Sequence, residues 1–396
     1  MSKVLIVGAG IGGLTLAAGL KQRGLDVTVV ERAPAFKPVG AGISLQPNAT
    51  AVLLALDIPL SEAAAAVMGP ASFTDAAGRA FMNADASELV TEEAPAWNVH
   101  RADLHRALLE ACGERSGAAR GGAVTLRLGT AVASLEERGD EVAVTFEDGS
   151  AGAWSLVIGA DGLSSTVREA LLGDAGPRVR YSGQTCWRFA ASTSVTRESS
   201  VEIWAPGKRA GLIQLSEGRI YCYLVASAPE GTPGPGSNEV AMLREQFGWM
   251  NPDLETLLSE LTPETVVHHG DLCDLDGATW GRGRVVLMGD AAHAVQPNMG
   301  QGAAMAIEDA GALTLLITEH LSEPSGLVSA FQSAREARVR EVWGLSWRIG
   351  QVAHWENPLA RAVRNLALRS MPTSMMLKKA AESWQPGIDI ARSLRA

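Results

Sequence analysis

Three short segments made only of apolar residues recur along the chain, and a glycine-containing stretch follows each of them. They are residues 4–7 (VLIV), 156–158 (LVI) and 285–288 (VVLM). Uninterrupted apolar runs of this length are typical of strands buried on both faces of a parallel sheet. Helical spacing of apolar residues follows the first and the third run. The pattern therefore predicts an α/β fold.

The pattern changes to alternating apolar and polar positions between about residues 177 and 275. Segments 184–192, 200–206, 210–215 and 219–228 have this period of two, which predicts half-buried strands of one sheet. We expect residues 71–99 to add strands to that sheet. From about residue 335 helical spacing returns, and residues 358–396 predict one or two further helices that pack on the α/β part.

The composition indicates a bound cofactor and argues against some classes of partner. Glycine accounts for 42 of the 396 residues, above the average of roughly 7%, and glycine is favoured where the backbone lies against a ligand. With 34 basic and 44 acidic residues, the chain carries a formal charge of −10. This charge argues against nucleic acid or an anionic membrane as the main partner, although a local patch stays open.

The four cysteines have no CxxC spacing, so neither a disulfide framework nor a metal site is predicted. The N-terminus has no basic region followed by a leader-like apolar core. No run of about 18 apolar residues occurs, so no membrane span is expected. We therefore predict a cytoplasmic protein.

The first apolar run opens a dinucleotide-binding fingerprint. Gly8, Gly10 and Gly13 fit G-x-G-x-x-G between a strand and a helix. In this motif the glycines make the turn, admit a pyrophosphate and allow close helix packing. Glu31 ends the next strand, 31 − 8 = 23 residues after the first glycine. That is the expected distance for an acid that binds ribose hydroxyls, so the stretch predicts a dinucleotide site.

The second apolar run ends on Asp161-Gly162, and two serines, Arg168 and a helical segment follow. Two interpretations are open here. Asp161 can belong to a cofactor site, or the stretch can simply be a turn in which Ser164 or Ser165 caps the helix.

The third apolar run ends on Gly289-Asp290, and Pro297, Gly300 and Gly302 then open a long helix. A carboxylate at a strand end can accept hydrogen bonds from a polyol, and free N–H groups at a helix start favour negative charge. This combination suits a flavin, with the ribityl chain on Asp290 and the pyrimidine edge of the ring against Gly300 to Gly302. The helix dipole would stabilise the anionic reduced ring.

Together the motifs resemble those of one enzyme family. G-x-G-x-x-G at 8–13, D-G-x-x-S-x-x-R at 161–168 and G-D-A-A-H-x-x-x-P-x-x-G-Q-G at 289–302 occur in the order found in class A flavoprotein aromatic monooxygenases. "GAGISLQPNA" at 40–49 and "HRADLHRAL" at 100–108 add two further matches. The pattern is most similar to the salicylate, 3-hydroxybenzoate and urate hydroxylase group within the para-hydroxybenzoate-hydroxylase-like enzymes.

The resemblance implies FAD, bound tightly but not covalently, and NADH or NADPH as a transient co-substrate. Beside the glycines and Glu31, it implies that Arg32 lies by the adenosine and Arg101 by the pyrophosphate and ribityl chain. It places Asp161 in a motif that serves FAD and the nicotinamide, in part indirectly through Arg168. It makes Asp290 the ribityl ligand. His293, next to this motif, is expected to be a structural residue.

The implied reaction is the hydroxylation of a small aromatic or heteroaromatic compound by O₂ through a flavin C4a-hydroperoxide. Arg209 and Tyr221 resemble the substrate-contacting pair of urate-hydroxylating relatives. Gln214, between them, is a further candidate site residue, and Pro297 would border the ring. The alternative is that Arg209 is an edge-strand charge and Tyr221 a core residue. A monomer or homodimer is expected.

The resemblance also implies a fold class. It is α/β, with a Rossmann-like FAD-binding domain, an inserted β-sheet substrate domain and a C-terminal helical region. We assign 1–70, 100–176 and 276–345 to the FAD domain, 71–99 and 177–275 to the substrate domain, and 346–396 to the helices. Other functions stay open: an FAD-dependent reductase of this fold that inserts no oxygen, an epoxidase of a larger biosynthetic intermediate, or a flavin-binding protein without activity.

Overall fold

A computed structural model describes residues 3–36, 41–58, 60, 64–113, 122–234, 236, 239–262, 264–320 and 324–396. The elements in chain order are β1 (Val4–Val7), α1 (Ile11–Gln22), β2 (Val27–Glu31), β3 (Gly42–Leu45), α2 (Pro47–Ala55), β4 (Ala65–Val67), β5 (Ala71–Asp75), β6 (Ala80–Ala84), β7 (Trp97–His100), α3 (Arg101–Cys112), β8 (Val124–Leu128), β9 (Val132–Arg138), β10 (Glu141–Phe146), β11 (Ala151–Trp154), β12 (Leu156–Gly159), α4 (Thr166–Leu172), β13 (Val179–Ser192), β14 (Ser200–Ala205), β15 (Lys208–Gln214), β16 (Arg219–Ser227), α5 (Glu239–Phe247), α6 (Pro252–Ser259), β17 (His268–Leu275), β18 (Gly281–Arg282), β19 (Val285–Leu287), α7 (Asp290–His293), α8 (Gly302–His320), α9 (Leu327–Ala353), α10 (Pro358–Arg369) and α11 (Thr373–Arg395).

The three apolar runs become neighbouring parallel strands of one six-stranded sheet, as the sequence predicts. Its strand order is β18-β19-β12-β1-β2-β8, and β1 pairs in parallel with both β12 and β2. Alternate residues of β1 enter two different apolar cores, one with α1, α3 and α8 and the other with β10 and α4. Because the carboxyl ends of parallel strands meet at one edge, the three glycine-containing segments come together there.

The predicted alternating segments lie in a seven-stranded sheet with the order β17-β13-β16-β15-β14-β5-β6. One face of this sheet is apolar and packs against α5 and α6. The other face is directed towards the six-stranded sheet domain, since the ring of Tyr221 lies against the backbone of Gly42.

Two predicted domain boundaries fall inside elements. β5 and β6 belong to the seven-stranded sheet, but β7 pairs with β3 and β4 in a separate three-stranded sheet, and the boundary at residue 99 therefore crosses β7. The boundary at 345 lies within α9. The division of the chain into domains stays a prediction.

Of the two C-terminal helices, α11 packs on the six-stranded sheet domain, as predicted, whereas α10 packs on β6 of the seven-stranded sheet. α11 contacts α2 and α8 so closely that a Cβ on Gly387 would lie 2.2 Å from the carbonyl oxygen of Asn48. Within the part of the chain that the structure describes, no helix combines the length and apolar character needed to cross a bilayer.

Candidate active site

The glycine turn before α1 has two glycines required by packing and one that faces open space. Gly8 has φ 107°, and a Cβ there would lie 2.4 Å from the carbonyl oxygen of Ala160. A Cβ on Gly13 would lie 2.1 Å from the carbonyl oxygen of Gly8. Around Gly10, at the start of α1, no atom of the described residues lies within 4 Å of such a Cβ. This is the room that a cofactor phosphate needs at a helix N-terminus.

Glu31 lies beside the same turn. Its carboxylate accepts hydrogen bonds from the backbone N–H of Ala9 at 3.0 Å and of Ala33 at 2.9 Å. Two backbone bonds hold the carboxylate in place and leave lone pairs for ribose hydroxyls. The neighbouring Arg32 is exposed.

The second motif is built mainly as a helix start. The Asp161 carboxylate accepts hydrogen bonds from Ser165 Oγ at 2.5 Å and from the N–H of Val167 at 3.1 Å, while Ser165 caps α4. Of the two interpretations, the helix cap is therefore the one that the contacts of Asp161 and Ser165 show. Arg168 is buried and donates to the carbonyl oxygen of Ala291 at 3.0 Å, so it joins the second motif to the third.

Asp290 lies at the end of the third apolar strand, immediately after Gly289 with φ 56°. Its side chain is exposed and makes no hydrogen bond to any described residue. Desolvation by the surrounding protein raises its pKa, which the positive charges of His293 and Arg101 oppose. Arg101, at the first position of α3, is exposed as well. We call the space that these two side chains share with Tyr221 the cleft.

The loop before α8 presents backbone groups to the cleft. Pro297 is exposed, and Gly300 is left-handed with φ 63°. In the part of the chain that the structure describes, a Cβ on Gly302 would meet no atom within 4 Å. The first N–H groups of α8 have no acceptor within the helix and favour a negatively charged partner. Gln46 holds this loop, because it donates to the carbonyl oxygen of Met299 at 3.2 Å and accepts from Gln301 Nε2 at 2.7 Å.

A buried ion network lies beneath the third motif, and the sequence analysis does not predict it. Arg335, 1% exposed, pairs with Glu308 and Asp309 of α8 at 2.7 Å each, and both carboxylates are fully buried. Asp309 also accepts from the N–H of Gly289 at 2.9 Å and contacts His293 Nε2 at 2.6 Å. Burial would raise the pKa of Asp309, but the charges of His293 and Arg335 outweigh it and hold this pKa at about 2.

The network leaves a signal in the sequence. Two adjacent carboxylates interrupt the otherwise apolar stretch "AAMAIEDAGALTLL" of α8. Carboxylates are almost never fully buried unless they are paired, so this stretch calls for cationic partners. The hydrogen bond between Asp309 and His293 also agrees with the expectation that His293 is a structural residue.

The cleft face of the seven-stranded sheet carries a group of polar side chains. Partners across strands share a face of a sheet. Tyr221 is opposite Ala190, Tyr223 is opposite Arg188, and Arg188 is opposite His268, so all lie on the face of Tyr221. Arg188 is exposed and forms no side-chain hydrogen bond with the described residues. Desolvation and the charge of Arg188 both lower the pKa of Arg101, and desolvation together with both arginines lowers that of His268.

Arg188 is therefore a cleft residue that the sequence analysis misses. It stands in the predicted strand "QTCWRFAAS". The sequence does indicate it, because Arg188 lies between two apolar residues of a strand whose sheet is covered on both faces. A charged side chain at such a place needs a protein partner or a ligand.

Arg209 does not take the predicted role of substrate anchor. It is 3% exposed, and protein groups occupy its donors. Its Nε donates to His354 Nε2 at 3.0 Å, one terminal nitrogen faces Glu202 at 3.4 Å, and the other bonds to Asn298 Oδ1. Arg209 thus positions the Pro297–Met299 turn, and it does not offer its charge to the cleft.

Gln214, a candidate site residue, does not lie on the cleft face of the sheet. On β15 it is opposite Ile220, whereas Ile213 is opposite Tyr221. Gln214 consequently lies on the face covered by α5 and α6. Its amide accepts from the N–H of Arg197 at 3.0 Å and donates to the carbonyl oxygen of Leu215 at 3.0 Å, so it braces the hairpin end.

The residues at the sheet edge fit FAD. Space lies beside Gly10 and Gly302, at two helix N-termini. Glu31 is held where it can accept hydrogen bonds from a ribose. Asp290, which bonds to no described residue, can accept from a polyol. A plain nicotinamide dehydrogenase would use only the first of these features.

Comparison with known proteins agrees with this fit. A family model described as "FAD binding domain" matches residues 1–240 and 256–346. The chain is 36% identical over 374 residues to the aurachin C monooxygenase/isomerase of Stigmatella aurantiaca, covering 93% of this chain and 94% of that protein. It is 36% identical over 375 residues to the 2-heptyl-3-hydroxy-4(1H)-quinolone synthase of Pseudomonas aeruginosa, with 94% of each covered.

Among solved structures, HpxO of Klebsiella pneumoniae complexed with FAD and uric acid has a TM-score of 0.86 and 26% identity, over 98% of this chain and 97% of that one. The likeness spans both sheets and the C-terminal helices, and use of NAD(P)H is typical of these enzymes. The sequence resemblance is confirmed: the chain belongs to the FAD-binding family of class A flavoprotein aromatic monooxygenases.

Proposed function

We propose that this monooxygenase hydroxylates a bicyclic nitrogen heteroaromatic compound of the 4-quinolone class. The observation that carries the proposal is Arg188, a free cation beside Tyr221 on the cleft face of the sheet. A 4-quinolone has an oxygen next to the ring carbon to be hydroxylated, and a nearby cation stabilises negative charge on that oxygen. The names of two relatives at 36% identity refer to an aurachin and to a 4-quinolone, which supports this class.

Urate is less suited to this cleft. In the resemblance, the arginine at the place of Arg209 would hold the anionic ring. Here Glu202, Asn298 and His354 occupy that guanidinium. A substrate anion would have to use Arg188 instead.

The proposed roles of the chain follow from these positions. When bound, FAD supplies the reduction of O₂ at the expense of NAD(P)H and the transfer of one oxygen atom to the substrate. Asp290 would accept a hydrogen bond from the ribityl chain, and the N–H groups at Gly302 would stabilise negative charge on the pyrimidine edge of the ring. Desolvation raises the pKa of Tyr221, so its phenol stays protonated and can donate to a substrate oxygen. Pro297 would border the ring.

The adenosine half would lie at the glycine turn, with Glu31 on its ribose and Arg32 beside it. Arg101 would face the pyrophosphate and ribityl chain. Asp161 would act indirectly, by holding the start of α4 against the third motif through Arg168. We further propose a cytoplasmic enzyme that is a monomer or homodimer and binds no nucleic acid.

The test is oxidation of NADH and of NADPH by the FAD-loaded protein in air. The panel contains 2-alkyl-4-quinolones, hydroxybenzoates, salicylate and urate, and isotopically labelled O₂ allows products to be followed by mass. We expect a quinolone to stimulate oxidation and to gain one labelled oxygen atom. Turnover of urate alone would overturn the proposed class. Nicotinamide-dependent reduction of a compound without oxygen uptake would indicate the reductase instead.

A further inference from the structure

Helix α10 has its apolar face turned towards solvent. Leu359, Val363 and Leu366 are 74%, 59% and 68% exposed, and Ala362 and Ala367 on the same face are exposed too. Residues spaced by three and four positions form one stripe along a helix. A helix on the surface of a globular protein ordinarily turns such a stripe inward.

The polar face of α10 is held against the protein, which fixes this orientation. Arg364 is buried, and its guanidinium donates to the carbonyl oxygens of Val352 at 2.9 Å and Ala353 at 3.1 Å. The same group lies 4.8 Å from the ring of Trp204. Burial lowers the pKa of Arg364 only to about 10, so it stays charged at neutral pH and keeps these contacts.

The stripe lies in a segment of net positive charge. Residues 355–382 contain five cations and two acids, Glu356 and Glu382, in a chain of net charge −10, and Glu382 pairs with Lys378 at 3.8 Å. The cations are Arg361, Arg364, Arg369, Lys378 and Lys379. Trp355 and Met375, which are 41% and 47% exposed, precede and follow α10 and add further exposed apolar surface. Tryptophan and basic residues around an apolar stripe are typical of helices that lie in a membrane interface.

We propose that α10 docks the enzyme on an anionic lipid surface, with Leu359, Val363 and Leu366 in the acyl boundary and the exposed cations Arg369, Lys378 and Lys379 at the headgroups. A second copy of the chain is less suitable as the occupant. A two-fold interface sets the same patch against itself, and five cations against two acids in residues 355–382 would then bring like charges together. Anionic headgroups are complementary to it.

The docking helix contacts the sheet that carries the cleft face. Arg369 donates to the carbonyl oxygen of Ala80 on β6 at 3.2 Å. His354, four residues before the start of α10, accepts the hydrogen bond of Arg209. The lipid surface would therefore lie at the β6 edge of the sheet that carries the substrate face.

The experiment is co-sedimentation of the FAD-loaded full chain with vesicles of phosphatidylcholine alone or of phosphatidylcholine with phosphatidylglycerol in equal parts. We expect binding to the second kind only, weakened at about 0.5 M salt, where charge attraction is screened. Leu359→Gln with Leu366→Gln should lower vesicle affinity about tenfold or more, since two apolar side chains leave the acyl boundary. The matched control is Val67→Gln, at a position 78% exposed on β4, which should bind as the parent does.

Flavin content and melting temperature of the variants establish that they fold, because the altered side chains are exposed. No binding to either vesicle, or equal binding to both, would overturn the proposal. So would a dimer in light scattering that the double variant splits while vesicles stay unbound, because the stripe would then be an interface between copies. None of these results depends on the identity of the hydroxylated compound.

Discussion

The buried ion network allows a sharp test, and the perturbation is Arg335→Met. This change keeps most of the side-chain volume and removes the charge that Glu308 and Asp309 share at 2.7 Å. Both carboxylates are fully buried and cannot recover solvation without opening the core. Asp309 keeps His293 and the N–H of Gly289 as partners, but Glu308 retains mainly Arg338 at 3.4 Å and Asn48.

The magnitude follows from burial. Removal of one partner of a buried ion pair costs about 3–5 kcal/mol, because an uncompensated charge stays inside. Unfolding entropy is about 2.1 cal/mol/K per residue, or about 0.8 kcal/mol/K for 396 residues taken as one cooperative unit. The melting temperature should therefore fall by about 4–6 °C. FAD affinity should fall as well, since Asp309 holds the backbone next to Asp290.

The assay is calorimetry of the FAD-free protein together with flavin titration, and Arg340→Met is the matched control. Arg340 lies on the same helix and pairs with Glu336 at the same 2.7 Å, but its side chain is 78% exposed. Exposed pairs contribute about 0–1 kcal/mol, so this variant should melt within about 1 °C of the parent. Equal destabilisation by the two changes, or an unchanged melting temperature for Arg335→Met, would refute the reasoning.

Four further predictions use single residues. Asp290→Ala should raise the Kd for FAD about 10–100-fold, because a charged hydrogen-bond acceptor is lost; full flavin retention after desalting would contradict its ribityl role. Arg188→Ala should raise the substrate KM about tenfold or more without loss of flavin, with partial recovery in Arg188→Lys, and an unchanged KM would exclude it from substrate binding. Asp309 has a pKa of about 2 in the folded protein against an ordinary 3.8. Its contribution to the free energy of unfolding is therefore complete above pH 3.8 and is lost as the pH falls towards 2. In Asp309→Asn, unfolding followed by circular dichroism should lose less stability between pH 3.8 and 2 than the parent does. Gln214→Ala should lower the melting temperature but leave KM unchanged.

The sequence predicts most of the fold because its strongest patterns are local. The three apolar strands, the glycine turn and the helix after Gly302 depend on neighbouring residues, and the structure has all of them. The sequence alone also shows on which face Gln214 lies. On one strand Arg209 and Gln214 differ by an odd number of residues, and strand alternation alone puts them on opposite faces. The partners of Arg209 could not be foreseen, since Asn298 and His354 lie 89 and 145 residues away.

The two aspartates that follow the apolar strands show how the network serves the site. The Asp161 carboxylate accepts hydrogen bonds from Ser165 and Val167 at the start of α4. Asp290 likewise follows its own strand, three residues after β19 ends, yet Asp309 makes the structural bonds there, to Gly289 and His293. A carboxylate relieved of structural bonds keeps its lone pairs for a ligand. The acidic pair inside α8 therefore makes the structural bonds next to Asp290, whose own carboxylate has no hydrogen bond to a described residue, as the ribityl role that we propose for it requires.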